Sequence, residues 1–183
     1  MEIRTFVLLV LTVIVFNNVP CSGIDRGYYW RDYKWTIPAD AVPAGKDSNG
    51  QETYIGQAYM HTDGLFVVQI FPNAKEIFAS SYGLKKATAV VKILCSKNKH
   101  KFSWLQTNSK YFHQNVTSEN PVIGGYNHRE LVFKGMMHVG RLIHHVAVRV
   151  GSIDGFLEVA KMNYVHAGSL QTADDFEVLL YNH

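Results

Sequence analysis

AGKDSNGQETYIGQAYMHTDG (residues 44–64) joins a polar turn, bounded by Gly45 and Gly50, to a strand-like run over residues 53–60 that Gly56 interrupts. GGYNHRELVFKGMMHVG (residues 124–140) follows the same plan, with Gly125 opening a turn and Gly135 placed in the next strand. The surroundings also repeat. After the first copy come Leu65, a VVQI strand, a Tyr82-Gly83 turn and a closing VKILC segment; after the second come Leu142, an HHVAV strand, an Ala167-Gly168 turn and a closing FEVLL segment. The glycines match better than the side chains, because they answer to backbone geometry, either a positive φ or a close chain approach. Two tandem β repeats, about residues 28–96 and 102–181, predict a pseudo-twofold, β-sandwich-like single domain over residues 24–183, in which each half covers an apolar face of the other.

Hydrophobic periodicity supports an all-β fold. GLFVVQIF (64–71), ATAVVKILCS (87–96), HHVAVRV (144–150) and FEVLLY (176–181) alternate with period two, and TYIGQAYM (53–60) is apolar on both faces. In HHVAVRV the alternation groups Val146, Val148 and Val150 opposite His145 and Arg149. HRELVFKGMMH has the makings of a helix start, but Gly135 breaks it, and FLEVAKMNY (156–164) reads either way. Residues 97–120 are polar and predict a long surface connection anchored by Phe102 and Trp104.

The 183 residues are 47% hydrophobic and 18% charged, enough for a sizeable core. Glu2 and Arg4 precede an apolar run (6–16) and then small residues Cys21, Ser22 and Gly23, which predicts a signal peptide over residues 1–23 and a secreted, extracellular product. Its removal leaves Cys95 alone, so no internal disulfide framework is expected; a buried inert thiol and an intermolecular disulfide are the two readings. Asn115-Val116-Thr117 is a glycosylation sequon that marks an exposed loop in a secreted glycoprotein. The net charge of +3 is too mild to point to nucleic acid. Lys97, Lys99, Lys101 and His100 form a basic cluster that reads as a solvated turn, with weak attraction to anionic surfaces as the other reading.

The stretch YYWRDYKWTIPADAVPAGKDSNGQETYIGQAY (28–59) resembles the opening of DM-9 repeat proteins. The resemblance rests on the Tyr-Trp start, Ile37-Pro38, Ala41-Val42, the Gly45-x-Asp47-x-x-Gly50 turn and Tyr54-Ile55-Gly56-Gln57-Ala58. Gly124-Gly125-Tyr126 and the closing VKILCS and FEVLLY segments extend it. It implies two tandem repeats in an all-β fold, pairing into a homodimer, and in some members mannose-binding lectin activity in innate immunity. In those lectins an aspartate in the glycine-marked turn and a lysine in a Pro-Gly-Lys step hold the sugar hydroxyls. Asp47 matches the aspartate, Gln69 stands for the lysine, and Val67-Val68 replaces Pro-Gly. In the second repeat Asn127 replaces the aspartate and Val146 falls at the lysine position, behind His144-His145. A glutamate that the resemblance implies after a Tyr-Gly-Gly turn is absent; Lys85 and Leu170 lie near its place.

Sugar recognition needs groups that accept from vicinal hydroxyls, donors to oxygens, and an aromatic face. Asp47, Gln69 and Asn127 are therefore the candidate carbohydrate-binding residues for a mannose-type glycan. Asp47 and Asn127 also suit turns that bond their own backbone. Nine histidines raise a metal site, but no H-E-x-x-H or Cys-partnered spacing occurs, and adjacent His144 and His145 on a strand would face opposite ways. His61, His138 and His166 are left to the fold to bring together or keep apart. No nucleophile elbow, P-loop or dinucleotide fingerprint is present, so neither an enzyme nor a cofactor is expected. Tyr28, Tyr29, Trp30, Tyr33 and Trp35 suit a sandwich edge or an aromatic platform. The reading is a lectin-like glycan recognition protein acting on microbial or host glycans. Its rival is a structural or effector protein of saliva, gut, egg or venom that works through protein contacts. A membrane-perturbing role lacks an amphipathic pore segment, so membrane insertion is not expected.

Overall fold

The computed structural model describes residues 27–130 and 135–183; the expected signal peptide, residues 1–23, lies outside them. The chain is almost wholly antiparallel β structure. The first repeat contributes β1 (Tyr29–Asp32), β2 (Pro43–Lys46), β3 (Glu52–Met60), β4 (Gly64–Ile70), β5 (Phe78–Ser80), β6 (Leu84–Lys86) and β7 (Val91–Cys95). The second contributes β8 (Phe102–Asn108), a one-turn helix α1 (Phe112–Asn115), β9 (Ile123–Asn127), β10 (Met136–His144), β11 (Ala147–Ile153), β12 (Met162–His166), β13 (Ser169–Ala173) and β14 (Asp175–Tyr181). Twelve of these strands form one sheet whose main path runs β1-β7-β3-β4-β9-β10-β11-β12-β13, while β5 and β6 pair separately.

The pairing register shows how closely the two halves correspond. β1 pairs β7 and β7 pairs β3, as β8 pairs β14 and β14 pairs β10. Gly56 lies between Val68 and Ile93, and Gly140 lies between Gly151 and Val178. The strand glycine equivalent to Gly56 is thus Gly140. Gly135 instead stands where Gln51 does: its carbonyl accepts from the Asn127 N–H, as that of Gln51 accepts from the Asp47 N–H. β2 and β9 carry the same irregularity against their partners, next to Gly45 and Gly125 respectively. Trp30 opposite Leu94 matches Trp104 opposite Leu179. Residues 102–108 are therefore a strand, not part of a surface connection; the aromatic residues there are its inward anchors.

Burial explains why TYIGQAYM is apolar on both faces. One face of β3, β4 and β7 supplies Ala58, Met60, Phe66, Val68, Ile70, Ile93 and Cys95 to the first repeat's own core. The other face supplies Ile55, Val67 and Leu94 to a shared core with Val139, Val150 and Leu179, the equivalent residues of the second repeat. A third core, built on Ile153, Met162, Phe176 and Val178, belongs to the second repeat. Cys95 is free and fully buried, and burial pushes its thiol up to about 11.

HHVAVRV is not one strand. His144 ends β10, His145 has a φ of 56° in the hairpin turn, and β11 begins at Ala147. Val146 consequently projects into solvent while Val148 and Val150 are buried. The turn places both histidine rings on one side, 4.4 Å apart, where an unbroken strand would have opposed them.

The repeats join where β4 meets β9, with Gly64 opposite Asn127 and Leu65 opposite Tyr126. A Cβ on Gly125 would lie 1.9 Å from the Leu65 carbonyl oxygen, and one on the equivalent Gly45 would lie 2.7 Å from a Val148 methyl. Backbone cannot yield as a flexible side chain can, so Gly125→Ala should destabilise the chain by about 2 kcal/mol. Urea denaturation should show a lower midpoint with an unchanged slope.

Candidate functional site

Asp63 occupies the turn between β3 and β4, and its carboxylate is fully buried. Its backbone is fixed on both sides: its N–H donates to the Met60 carbonyl, and its carbonyl accepts from the His128 N–H at 2.8 Å. A carboxylate so placed survives only if it is fully partnered. Here Ser81 Oγ donates to it at 2.6 Å, and Lys85 Nζ and Arg129 Nη2 both donate to it. Burial works to raise the Asp63 pKa, but the hydrogen bonds from Lys85, Ser81 and Arg129 outweigh it and hold the carboxyl well below the usual range.

Three loops thus converge on one anion: the β3–β4 turn, the β5–β6 turn and the segment after β9. Their outward groups are donors and rings. The side chains of Lys85 and Arg129 remain 42% and 49% exposed. The Arg129 guanidinium lies 4.1 Å from the centre of the Tyr82 ring, and Tyr82 is exposed at a φ of 49°. The Tyr82 hydroxyl and the Asn127 amide bond each other, Nδ2 to Oη at 2.6 Å, and Asn127 Oδ1 also accepts from the Arg129 N–H at 3.0 Å. Tyr59, Leu65 and Tyr126 stand side by side across β3, β4 and β9. Tyr59 and Tyr126 are both exposed, with the His128 ring 5.3 Å from that of Tyr126.

The sequence-derived candidates are distributed differently. Asp47 Oδ1 accepts from the N–H groups of Asn49 and Gln51 at 2.8 and 2.9 Å, a turn role. Gln69 Nε2 donates to Thr53 Oγ1 at 2.9 Å and to the Val148 carbonyl at 3.0 Å, while its Oε1 accepts from the Val150 N–H at 3.3 Å. Its amide is spent between the repeats. The register puts Ser152, not Val146, at the equivalent position, and Ser152 Oγ accepts from the Val67 N–H at 3.0 Å. Asp47 and Asn127 occupy equivalent positions in separate loops, and no hydrogen bond links any two of the three candidates. Asn127 alone belongs to the Asp63 cluster. Asn115 is exposed on α1 and donates to Thr107 Oγ1 at 3.0 Å. Among the described residues no group of three His, Cys, Asp or Glu side chains is arranged to hold a metal ion. The sequence alone does not single out Asp63, Tyr82 and Arg129: H-T-D-G reads as an ordinary turn, and nothing local marks its aspartate as buried.

Two further titratable groups are part-buried and shifted. Burial pushes Asp154 up to about 7; a 2.7 Å hydrogen bond from Asn163 Nδ2 opposes this and the nearby Glu130 charge adds to it. Burial lowers His138 to about 4, and its Nδ1 has no partner among the described residues.

No protein-family model matches the chain, and no curated protein matches it. Among solved structures it is similar to the nematode sperm cell motility protein MFP2B, with a TM-score of 0.57 and 14% identity over 85% of this chain and 45% of that one. The chain therefore spans under half the length of that neighbour, and the likeness speaks for the fold.

Asp63→Asn should cost about 3 kcal/mol, because it leaves two cations facing a neutral amide. Arg129→Ala, removing a half-exposed partner, should cost no more than about 1 kcal/mol. Chemical denaturation of the two variants checks the order. Asp154 and His138 should act oppositely on pH dependence. The unfolded chain releases the aspartate proton near 3.8 and the folded chain near 7, so stability falls as pH rises between them. The unfolded chain takes up the histidine proton near 6.5 and the folded chain only near 4, so stability falls as pH drops through that window. Asp154→Asn should remove the first trend, leaving stability that climbs more steeply than wild type from about pH 4.5 to 7.

Proposed function

We propose that the chain is a secreted, non-enzymatic, lectin-like recognition protein that binds glycans at the Asp63-centred cluster. The carrying observation is that one fully buried carboxylate holds two half-exposed cations beside an exposed tyrosine ring. Donors fixed in advance lose little freedom when a ligand arrives. Charged N–H donors bond hydroxyl oxygens strongly, and tyrosine faces pack against the C–H surface of a sugar ring. A mannose-type glycan, the ligand class implied by the DM-9 resemblance, offers both. A single site of this kind is weak, so useful binding rests on several sites engaging one surface, as the expected homodimer would allow.

A second reading, a structural or effector protein working through protein contacts, draws on the occupancy of the amides. The amides of Gln69 and Asn127 are engaged by protein partners, so two of the three contacts implied by the DM-9 resemblance are already occupied. The exposed tyrosines would then serve a protein surface.

Retention on mannose-agarose and a glycan array, run with wild type, Arg129→Ala and Asp47→Ala, separates these readings. The lectin reading expects wild-type binding, a loss of about tenfold for Arg129→Ala, and little change for Asp47→Ala. Equal binding by wild type and Arg129→Ala would move the site elsewhere. No retention on any glycan would favour protein contacts.

A further inference from the structure

The two repeats differ most at the tips of their long hairpins. In the first, the turn between Met60 and Gly64 supplies Asp63, which neutralises Lys85 and Arg129. In the second, the turn between His144 and Ala147 is one residue shorter, and nothing stands in Asp63's place. The register aligns Met60 with His144 and Phe66 with Arg149, and the matching turns at Tyr82-Gly83 and Ala167-Gly168 align Ser81 with His166. The acid is absent there, and groups that can carry positive charge stand where the first repeat has neutral ones. They are close together: the His144 ring is 4.4 Å from that of His145 and 5.1 Å from that of His166, and Arg149 Nε donates to His166 Nδ1 at 3.2 Å.

The same tip is apolar. Val146 and Ile143 are 78% and 64% exposed, the highest values among the large hydrophobic side chains described. Leu170, beyond the adjoining β12–β13 turn, is exposed as well. We propose that this tip docks on anionic lipid bilayers when protonated, with Ile143 and Val146 seated at headgroup depth and Arg149, His144, His145 and His166 facing the lipid phosphates. A free anion would satisfy the cations but would leave two aliphatic side chains in water; a bilayer surface takes both. The docking is at the bilayer surface, through the tip alone; among the described residues no helix is long and apolar enough to cross a membrane.

Proton dependence follows from the geometry. A neutral His166 accepts from Arg149 through Nδ1; once protonated it cannot, and the guanidinium is released toward the surface. Burial, then the charges of His145, His166 and Arg149, hold His144 below its ordinary value in the free chain. An anionic surface supplies the missing counter-charge, so binding and protonation support each other. Other charged groups lie beside the tip, some of them paired. Arg141 and Glu177 pair at 2.6 Å, and Asp174 accepts from Ser109 Oγ at 2.9 Å with Lys161 at 3.9 Å. Asp175 lines the same groove as Ile143 and His144, but among the described residues neither it nor Asp174 nor Glu177 bonds a tip imidazole.

The test is co-sedimentation of the full chain with vesicles of phosphatidylcholine alone or mixed with phosphatidylserine, in EDTA, at about pH 5.5 and 7.5. Mixed vesicles should capture about tenfold more protein at the acid pH, and phosphatidylcholine vesicles little at either. The combined variant H144Q/H145Q/H166Q should lose the acid enhancement. I143S/V146S should lose capture at both pH values, with an unchanged far-UV circular dichroism spectrum showing that each variant folds. Equal capture at the two pH values, or acid enhancement that survives the glutamine substitutions, would overturn the proposal. So would release of the protein by inorganic phosphate at a concentration equal to that of the lipid phosphate, which would assign the tip to a soluble anion.

Discussion

The seam between β4 and β11 is the constraint on which the fold depends. Two strands from different repeats lie against each other there, and polar side chains satisfy the backbone between them. Gln69 accepts from Val150 N–H and donates to the Val148 carbonyl; Ser152 accepts from Val67 N–H. A second pair flanks it: Gln57 donates to the Gly124 carbonyl at 2.7 Å, and at the equivalent place Arg141 donates to the Ala44 carbonyl at 2.8 Å. Buried backbone groups without partners are costly. These four side chains give partners to backbone groups where the apolar faces of both repeats meet.

This seam also determines what the surface loops can become. It holds the two halves in fixed relation, while loops at equivalent positions differ in chemistry. One hairpin tip encloses a carboxylate and displays tyrosines; the other lacks the acid and displays imidazoles and aliphatic side chains. The Trp104 ring, against which the Arg141 guanidinium rests at 4.2 Å, shows the same divergence nearer the core, since its counterpart Trp30 lies in a strand whose repeat has Gln57 in place of that arginine.

The sequence makes the architecture legible where backbone geometry dictates residue type. The glycine-marked turns, the period-two strands and the two-faced apolar run of β3 all carry the repeat in plain view. It misleads where geometry leaves no residue signature. A two-residue turn of His145 and Val146, with no Gly, Asn or Asp, hides inside an unbroken alternation. β8 looks polar because one of its faces meets solvent. Gly135 sits near enough to the expected spacing to be mistaken for the strand glycine, although Gly140 fills that role. Of the site, only Asn127 could be chosen in advance. Asp63 is defined by Lys85 and Arg129, which are remote along the chain, and no local pattern encodes that meeting.

Cys95 carries one last implication. A thiol buried to this degree and held near 11 is almost entirely un-ionised at neutral pH, and disulfide exchange and sulfenylation both begin from the thiolate. The Cys95 sulfur is thus a packing atom, and while the fold holds it offers oxidants and disulfides almost no thiolate to react with.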